Sequence, residues 1–243
     1  MGTSLIEVSL CKGAISMLML ASAGCFDFDA LTRGSDLDAR ADAGGSADLL
    51  PRRAETCTDL PDGSQTLFVA ADPAKPWAAR CVGGRAYLPL ARVGAGANYS
   101  QYTAGGYSIG QNVVTRYTAV RLDPVSLFVD VSDQTFSTSS GVLQGSGERV
   151  SSMPYGVAMD CVSKQTATGK ANIDLRDTPF AIRDNVFAAG GLQTAGATAL
   201  SADGKVADLV GGGECGWEAA GSYGSAPVNK AGGFQLPLRY SPQ

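Results

Sequence analysis

The chain has 243 residues, with 19 Lys and Arg against 23 Asp and Glu, a formal net charge of −4 and no histidine. Its few basic residues are scattered, with no run longer than Arg52-Arg53, which excludes the basic stripe that nucleic acids or an anionic membrane surface would need. Lacking histidine, the chain alone cannot build a His-Glu-x-x-His zinc site, a Ser-His-Asp triad or a Cys-His dyad.

Residues 1–25 read as an export signal. Lys12 precedes the apolar stretch Ile15-Ser-Met-Leu-Met-Leu-Ala21, which is followed by the small residues Ser22-Ala-Gly24 and then Cys25. The apolar run is shorter than the ~20 residues a membrane-spanning helix needs. Leu20-Ala-Ser-Ala-Gly-Cys25 resembles a bacterial lipobox, in which the Cys carries diacylglycerol, although Ser22 stands where a large aliphatic residue is usual. The alternative is ordinary signal cleavage at Ala21-Ser-Ala23. Cys11 would be lost with the leader in either case. Residues 26–55 are rich in Asp, Ala and Gly without apolar periodicity and read as a solvated tether.

The folded part is expected over residues 56–243, an ordinary size for one domain. Its composition, rich in Gly, Ala, Ser, Thr and Val and poor in charge, suits a β-rich extracellular or envelope protein. Leu67-Phe-Val-Ala-Ala71 and Arg85-Ala-Tyr-Leu-Pro-Leu90 are short strand-like runs. Tyr117-Thr-Ala-Val-Arg-Leu122 alternates as a half-buried strand does, and Leu127-Phe-Val-Asp-Val131 is a second β-rich run. The turn signal Asp123-Pro-Val-Ser126 between them predicts a hairpin. Ala171-Asn-Ile-Asp-Leu-Arg176 places Ile173 and Leu175 on one face, and Phe180 and Ile182 point inward in the next run. Ala197-Thr-Ala-Leu200, the turn Ser201-Ala-Asp-Gly204 and Lys205-Val-Ala-Asp-Leu-Val210 predict a strand and its return. Gly190-Gly191 and Gly211-Gly-Gly213 read as breakers. Many short strands without helical periodicity predict an all-β, sandwich- or barrel-like antiparallel domain.

Four cysteines follow the leader, and four allow three pairings. The expected pairing is Cys57–Cys81, closing a short loop around the first strand, with Cys161–Cys215 closing a longer one. Their spacing contains no C-x-x-C knuckle, so a cysteine metal site is not expected.

These residues also carry a resemblance. Cys57-Thr-Asp-Leu-Pro61 with Gly63 and Cys81, Tyr87-Leu-Pro-Leu-Ala91, Asn98-Tyr-Ser100, Tyr117-Thr-Ala-Val-Arg-Leu-Asp123 and Asp133-Gln-Thr-Phe136 occur in that order. They are followed by Gly156-Val-Ala-Met-Asp-Cys161, Ile173-Asp-Leu-Arg-Asp-Thr-Pro-Phe180 and Gly212-Gly-Glu-Cys-Gly216. From Thr56 to about Trp217 the order resembles a GON domain, the C-terminal module of some secreted ADAMTS-type metalloproteases. The resemblance implies an extracellular accessory module used for targeting, interaction or trafficking. It does not imply peptidase activity, because the zinc association belongs to the multi-domain animal proteins. The extra cysteines of animal members are missing here.

Asp123, Asp130, Asp133, Asp160, Asp174 and Asp177 invite two sharper readings. A carboxylate pair would suit glycoside hydrolysis, and clustered oxygens would suit calcium, but no EF-hand spacing is present. The expected roles are turn capping and strand-edge polarity. Ser163-Lys164 is expected to be surface rather than a catalytic dyad. Asn98-Tyr-Ser100 matches the glycosylation sequon, but a turn-capping Asn is expected in a bacterial lipoprotein. Tyr99, Tyr102 and Tyr107 fall in a Gly-rich stretch and form the candidate binding loop. Trp77 and Trp217 flank half-cystines and are expected to pack against them.

The expected function is a non-catalytic recognition or accessory module outside the cytoplasm, lipid-anchored at the cell envelope or otherwise secreted. It would bind a protein or polysaccharide, with no cofactor, no metal and no nucleic acid. The alternatives are a carboxylate-dependent hydrolase of envelope or matrix polymer and a structural envelope lipoprotein. Cys25→Ser should move the protein from the membrane to the soluble fraction on cell fractionation; retention at the membrane would exclude the lipid anchor.

Overall fold

The computed structural model describes residues 53–106, 108–145, 147–160, 167–184, 186–189, 194–213, 217–218 and 235–242. The expected leader with Cys25, the tether as far as residue 52, Ser163-Lys164, Gly190-Gly191 and the pair Cys161–Cys215 lie outside them. Leu49–Gln243 forms one compact unit.

The domain is all-β, and its strands run in chain order through three sheets. The first are β1 (Gly63–Phe68), β2 (Pro76–Val82), β3 (Arg85–Pro89), β4 (Tyr99–Thr103), β5 (Ile109–Gly110) and β6 (Val113–Tyr117). Next come β7 (Ala119–Leu122), β8 (Phe128–Asp130), β9 (Ser137–Ser140), β10 (Leu143–Gly145), β11 (Glu148–Val150) and β12 (Ala158–Asp160). The last are β13 (Ala167–Asp174), β14 (Phe180–Ile182), β15 (Ala188–Ala189), β16 (Thr194–Leu200), β17 (Val206–Gly213), β18 (Trp217–Glu218) and β19 (Gln235–Tyr240).

A seven-stranded sheet has the order β1-β2-β3-β7-β8-β19-β14. Alternation sets its inner face: Trp77, Ala79 and Cys81 of β2 are buried while Pro76, Ala78 and Arg80 are exposed. A nine-stranded sheet has the path β15-β18-β12-β4-β13-β17-β16, with β6 and β9 continuing from β4. One core unites both sheets, with Leu67, Leu88 and Leu122 from the first and Ile173, Ala207 and Leu209 from the second. The sheets therefore pack face to face as a sandwich. Trp77 meets Phe180 edge-on, and Phe180 meets Tyr240 in the same way. A three-stranded sheet, β11-β10-β5, covers a second cluster containing Tyr102, Val113, Leu143, Met153 and Met159.

Most pairings are antiparallel, including the expected hairpins β7–β8 and β16–β17. The Asp123 carboxylate accepts from Val125 and Ser126 N–H in the first turn. In the second, Ser201 Oγ donates to Asp203 and Gly204 takes a φ of 74°. One pairing, β12 with β4, is parallel. Along a single edge β4 pairs first with β13, at Tyr99 and Ser100, and then with β12, from Gln101 to Thr103.

Three expectations about local structure are corrected. The run 117–122 is not one strand: Tyr117 ends β6 in one sheet, Ala119 begins β7 in the other, and Thr118 is the crossing point. Its backbone is satisfied on both sides, by Phe136 O accepting from Thr118 N and Thr118 O accepting from Leu90 N. Gly211-Gly-Gly213 does not break the chain but completes β17 between β13 and β16. At the neighbouring bulge in β13, a Cβ on Gly169 would lie 2.2 Å from Met159 O. Finally, the run 67–71 is strand only as far as Phe68: Val69–Ala71 form a 3-10 turn, with Ala70 and Ala71 at a φ of 53°.

The Cys57–Cys81 disulfide is present, with Cα atoms 5.5 Å apart, tying the segment before β1 to β2. A second clasp closes the C-terminus. Lys205 is buried and donates to Thr178 O at 2.8 Å, Phe180 O at 3.0 Å and Ser241 O at 2.7 Å. Burial lowers its pKa, opposed by the charge of Asp203. All three ammonium donors are used, which joins β17, β14 and the residue after β19. Lys205→Met should lower unfolding stability in urea by about 3 kcal/mol, because it leaves carbonyl acceptors unsatisfied.

Candidate functional site

The candidate site is built from the residue before β4 outward. Asn98 is fully buried with a φ of 51°, a left-handed conformation that Asn adopts more readily than most residues. Its Nδ2 donates to Arg92 O at 2.8 Å and to Asp174 O at 2.9 Å. Its Oδ1 accepts from Tyr155 Oη at 2.5 Å and from Asp174 N at 2.9 Å. Asn98 N donates to Asn172 Oδ1, and Asn98 O accepts from Tyr117 N. One side chain thus fixes the 92–98 loop to the end of β13. It is also too deeply buried to serve as a surface glycosylation acceptor.

This loop is one wall of a surface cleft of about 790 Å³. Residues 91–97 form the wall, with a tight turn where Gly94 and Ala97 bridge. The other wall presents Asn172, Asp174 and Arg176 from β13 and its continuation, with Val206 and Asp208 from β17. Asn172 Nδ2 donates to Asp208 Oδ1 at 2.7 Å. Arg176 Nε donates to Asp174 Oδ1 at 2.9 Å and a second guanidinium nitrogen reaches Oδ2, a bidentate pair. Arg92 pairs with Asp177 at 3.0 Å. The hydrogen bond from the Arg176 guanidinium, with a backbone N–H and the same positive charge, holds the Asp174 carboxyl below the usual carboxylate range.

The cleft opens onto the outer face of the nine-stranded sheet. Pairing registers align Thr138, Arg116, Tyr99, Asn172, Asp208 and Ala199 in one row across five inter-strand steps. Residues paired across strands share a face. Tyr99 and Arg116 are half-buried there, and Asp208 is exposed. The Tyr99 hydroxyl pKa is raised by burial and, secondarily, by the negative charge of Asp208.

The candidate binding loop needs correction. Tyr99 and Tyr102 lie on strand β4, three residues apart and so on opposite faces. Tyr102 is fully buried in the second core cluster, and its hydroxyl lies 2.8 Å from Ser108 Oγ. It offers no contact surface, whereas Tyr99 does. Tyr107 lies outside the described residues. Sequence reasoning missed Arg92, Asn172 and Asp208. The available signal was polar residues alternating with Ala171, Ile173, Ala207 and Leu209, which only the strand register brings into one row.

The six aspartates have local partners. Asp123 caps its turn, and Asp130 accepts from Ser132 N and Oγ and from Arg121. Asp133 accepts from Thr135 N and Tyr87 Oη, and Asp160 from Thr168 and Gly213. Asp174 and Asp177 are paired with arginines. Among the described residues no group of three His, Cys, Asp or Glu is placed to hold a metal ion.

The family model of the GON domain matches residues 85–223, more than half of the chain. The chain belongs to the GON domain family. Comparison with curated proteins and with solved structures returns no match. The matched span begins at β3, so the Cys57–Cys81 pair precedes it, although β1 and β2 belong to the same sheet as β3. Strings that carried the GON resemblance meet at the cleft: Tyr87–Ala91 leads into its wall, Asn98 anchors it, Asp174 and Arg176 supply two of its four charged groups, and Asp177 pairs with a third, Arg92.

The Asp174 carboxyl has a depressed folded pKa, so its contribution is present above the unfolded value of about 3.9 and is lost as pH falls through the folded value. The stability difference between wild type and Asp174→Asn should therefore be constant above about pH 5 and shrink below about pH 4. Chemical denaturation across that range would reveal it, and a difference independent of pH would contradict the assigned ion pair.

Proposed function

We propose that this GON-family chain is a non-catalytic recognition module that binds a macromolecule outside the cytoplasm through the cleft between residues 91–97 and β13–β17. The carrying observation is the cleft itself, an open polar surface held by the buried Asn98 network rather than by a mobile loop. Preorganised polar groups bind with less ordering cost than a flexible loop would.

The aspartates support this reading over polymer hydrolysis. A glycosidase needs one carboxylic acid kept protonated, with its pKa raised, opposite a second carboxylate. Here the buried cleft carboxyl, Asp174, is held below the usual carboxylate range by its arginine. Export and attachment through Cys25 belong to the same proposal and rest on the leader and lipobox-like string.

The test is capture of components from cell-envelope fractions and spent medium by the purified, oxidised full chain. Saturable capture that is lost in Asp208→Arg, with folding confirmed by circular dichroism, is the expected result. Capture that is never saturable, or that is unchanged in Asp208→Arg, would overturn the cleft as the contact surface. Turnover of a captured polymer would favour hydrolysis.

A further inference from the structure

We infer that the cleft and the adjoining Tyr99 row take a neutral polysaccharide, a chain of uncharged sugar units. This inference rests on the recognition reading above and adds the ligand class.

Charge is the first argument. The cleft lining carries two guanidiniums, Arg92 and Arg176, and two carboxylates, Asp174 and Asp208. Arg176 is neutralised by Asp174 and Arg92 by Asp177. A polyanion would meet cleft guanidiniums already committed to carboxylates, and a polycation would meet only one carboxylate without an arginine, Asp208, with Arg116 of opposite charge in the same row. An uncharged ligand displaces neither set of pairs.

Hydrogen-bonding capacity is the second. Asp208 Oδ1 accepts from Asn172 Nδ2 at 2.7 Å, and the exposed carboxylate keeps lone pairs for further donors. Each guanidinium has five N–H donors, more than its pairings consume. Planar groups that both donate and accept match adjacent sugar hydroxyls, each of which can do both.

Shape is the third. Tyr99 follows Asn172 and Asp208 in the cross-strand row, half-exposed on the sheet face and electrostatically coupled to Asp208. An aromatic face beside polar groups suits the apolar face of a sugar ring. A protein partner would be anchored by aromatic or Arg side chains filling apolar pockets. The 91–97 wall instead offers Ala and Gly, with Val93 as its one large apolar side chain. A peptide adding as a strand would need a free sheet edge, and this cleft lies over β13 and β17, each paired on both sides.

The test uses the full chain, titrated by calorimetry with hexasaccharides of β-glucan, mannan, xylan and chitin, with alginate and heparin oligosaccharides as anionic probes. At least one neutral hexasaccharide should bind with a Kd below about 1 mM. Tyr99→Ala and Asp208→Ala, both at exposed or half-exposed positions, should each weaken it about tenfold or more while the urea midpoint is retained. Binding of an anionic probe in preference to every neutral one would overturn the inference, as would neutral binding that neither variant changes. Absence of any oligosaccharide binding would also overturn it. If envelope capture in that last case still depended on Asp208, the recognition reading would survive and the saccharide assignment alone would fail.

Discussion

The fold around the site turns on the carboxamide of Asn98. A buried amide must find partners for two N–H donors and a carbonyl, or lose the hydration it had in the unfolded chain. Here it uses both donors and accepts twice, and its four bonds reach three parts of the structure: Arg92 O in the wall, Asp174 O and N at the end of β13, and Tyr155 Oη before β12. No hydrophobic residue could replace it, because the groups left behind include three backbone polar atoms. Its left-handed backbone angle is part of the same requirement, since it turns the chain from the cleft wall into β4. The wall of the cleft is therefore positioned by the interior and not by its own exposed residues.

That arrangement explains why the two sheets are joined as they are. The chain passes from the nine-stranded sheet to the seven-stranded one at Thr118, immediately after Tyr117, whose N–H donates to Asn98 O and whose hydroxyl donates to Met153 O. Tyr117 and Tyr155 meet at 5.0 Å between ring centroids, close to edge-on. Burial raises the pKa of both hydroxyls far enough to keep them neutral donors throughout the physiological range. The same small cluster thus directs the crossing between layers, supports the hub amide and leaves no charge inside the sandwich at that point.

Much of the architecture was legible in the sequence because it depends on period and punctuation. A short apolar run located β3, alternation located β14, and the turn signals Ser201-Ala-Asp-Gly204 and Asp123-Pro-Val-Ser126 located the β16–β17 and β7–β8 hairpins. What failed depended on distant partners. Tyr117-Thr-Ala-Val-Arg-Leu122 alternates smoothly, and nothing local reveals that Thr118 changes sheets. Tyr99 and Tyr102 looked alike in a Gly-rich stretch, yet their spacing of three puts them on opposite faces once the segment is a strand. Gly211-Gly-Gly213 has the composition of a breaker but sits in a central strand, where neighbours on both sides supply the pairing. Lys205 read as an ordinary strand residue, and its three carbonyl partners come from two other segments. The cleft was hidden for the same reason: Asn172 and Asp208 are 36 residues apart, and register alone makes them neighbours.

The charges in the cleft show how pairing inside a β-sandwich sets the ionisation of its polar groups. A carboxylate becomes a general acid when burial without a partner raises its pKa, and a nucleophile or base when it stands free beside its target. Asp174 is buried, but its arginine reverses the effect of burial and holds it ionised. Asp208 is exposed, and its oxygen is oriented by the Asn172 amide. Asn172 is in turn fixed by Asn98 N. Orientation passes outward from the buried amide to the exposed carboxylate through these hydrogen bonds. The proposed recognition function would draw its selectivity from the geometry of these donors and acceptors, and a change at Asn98 would alter that geometry without touching a residue that lines the cleft.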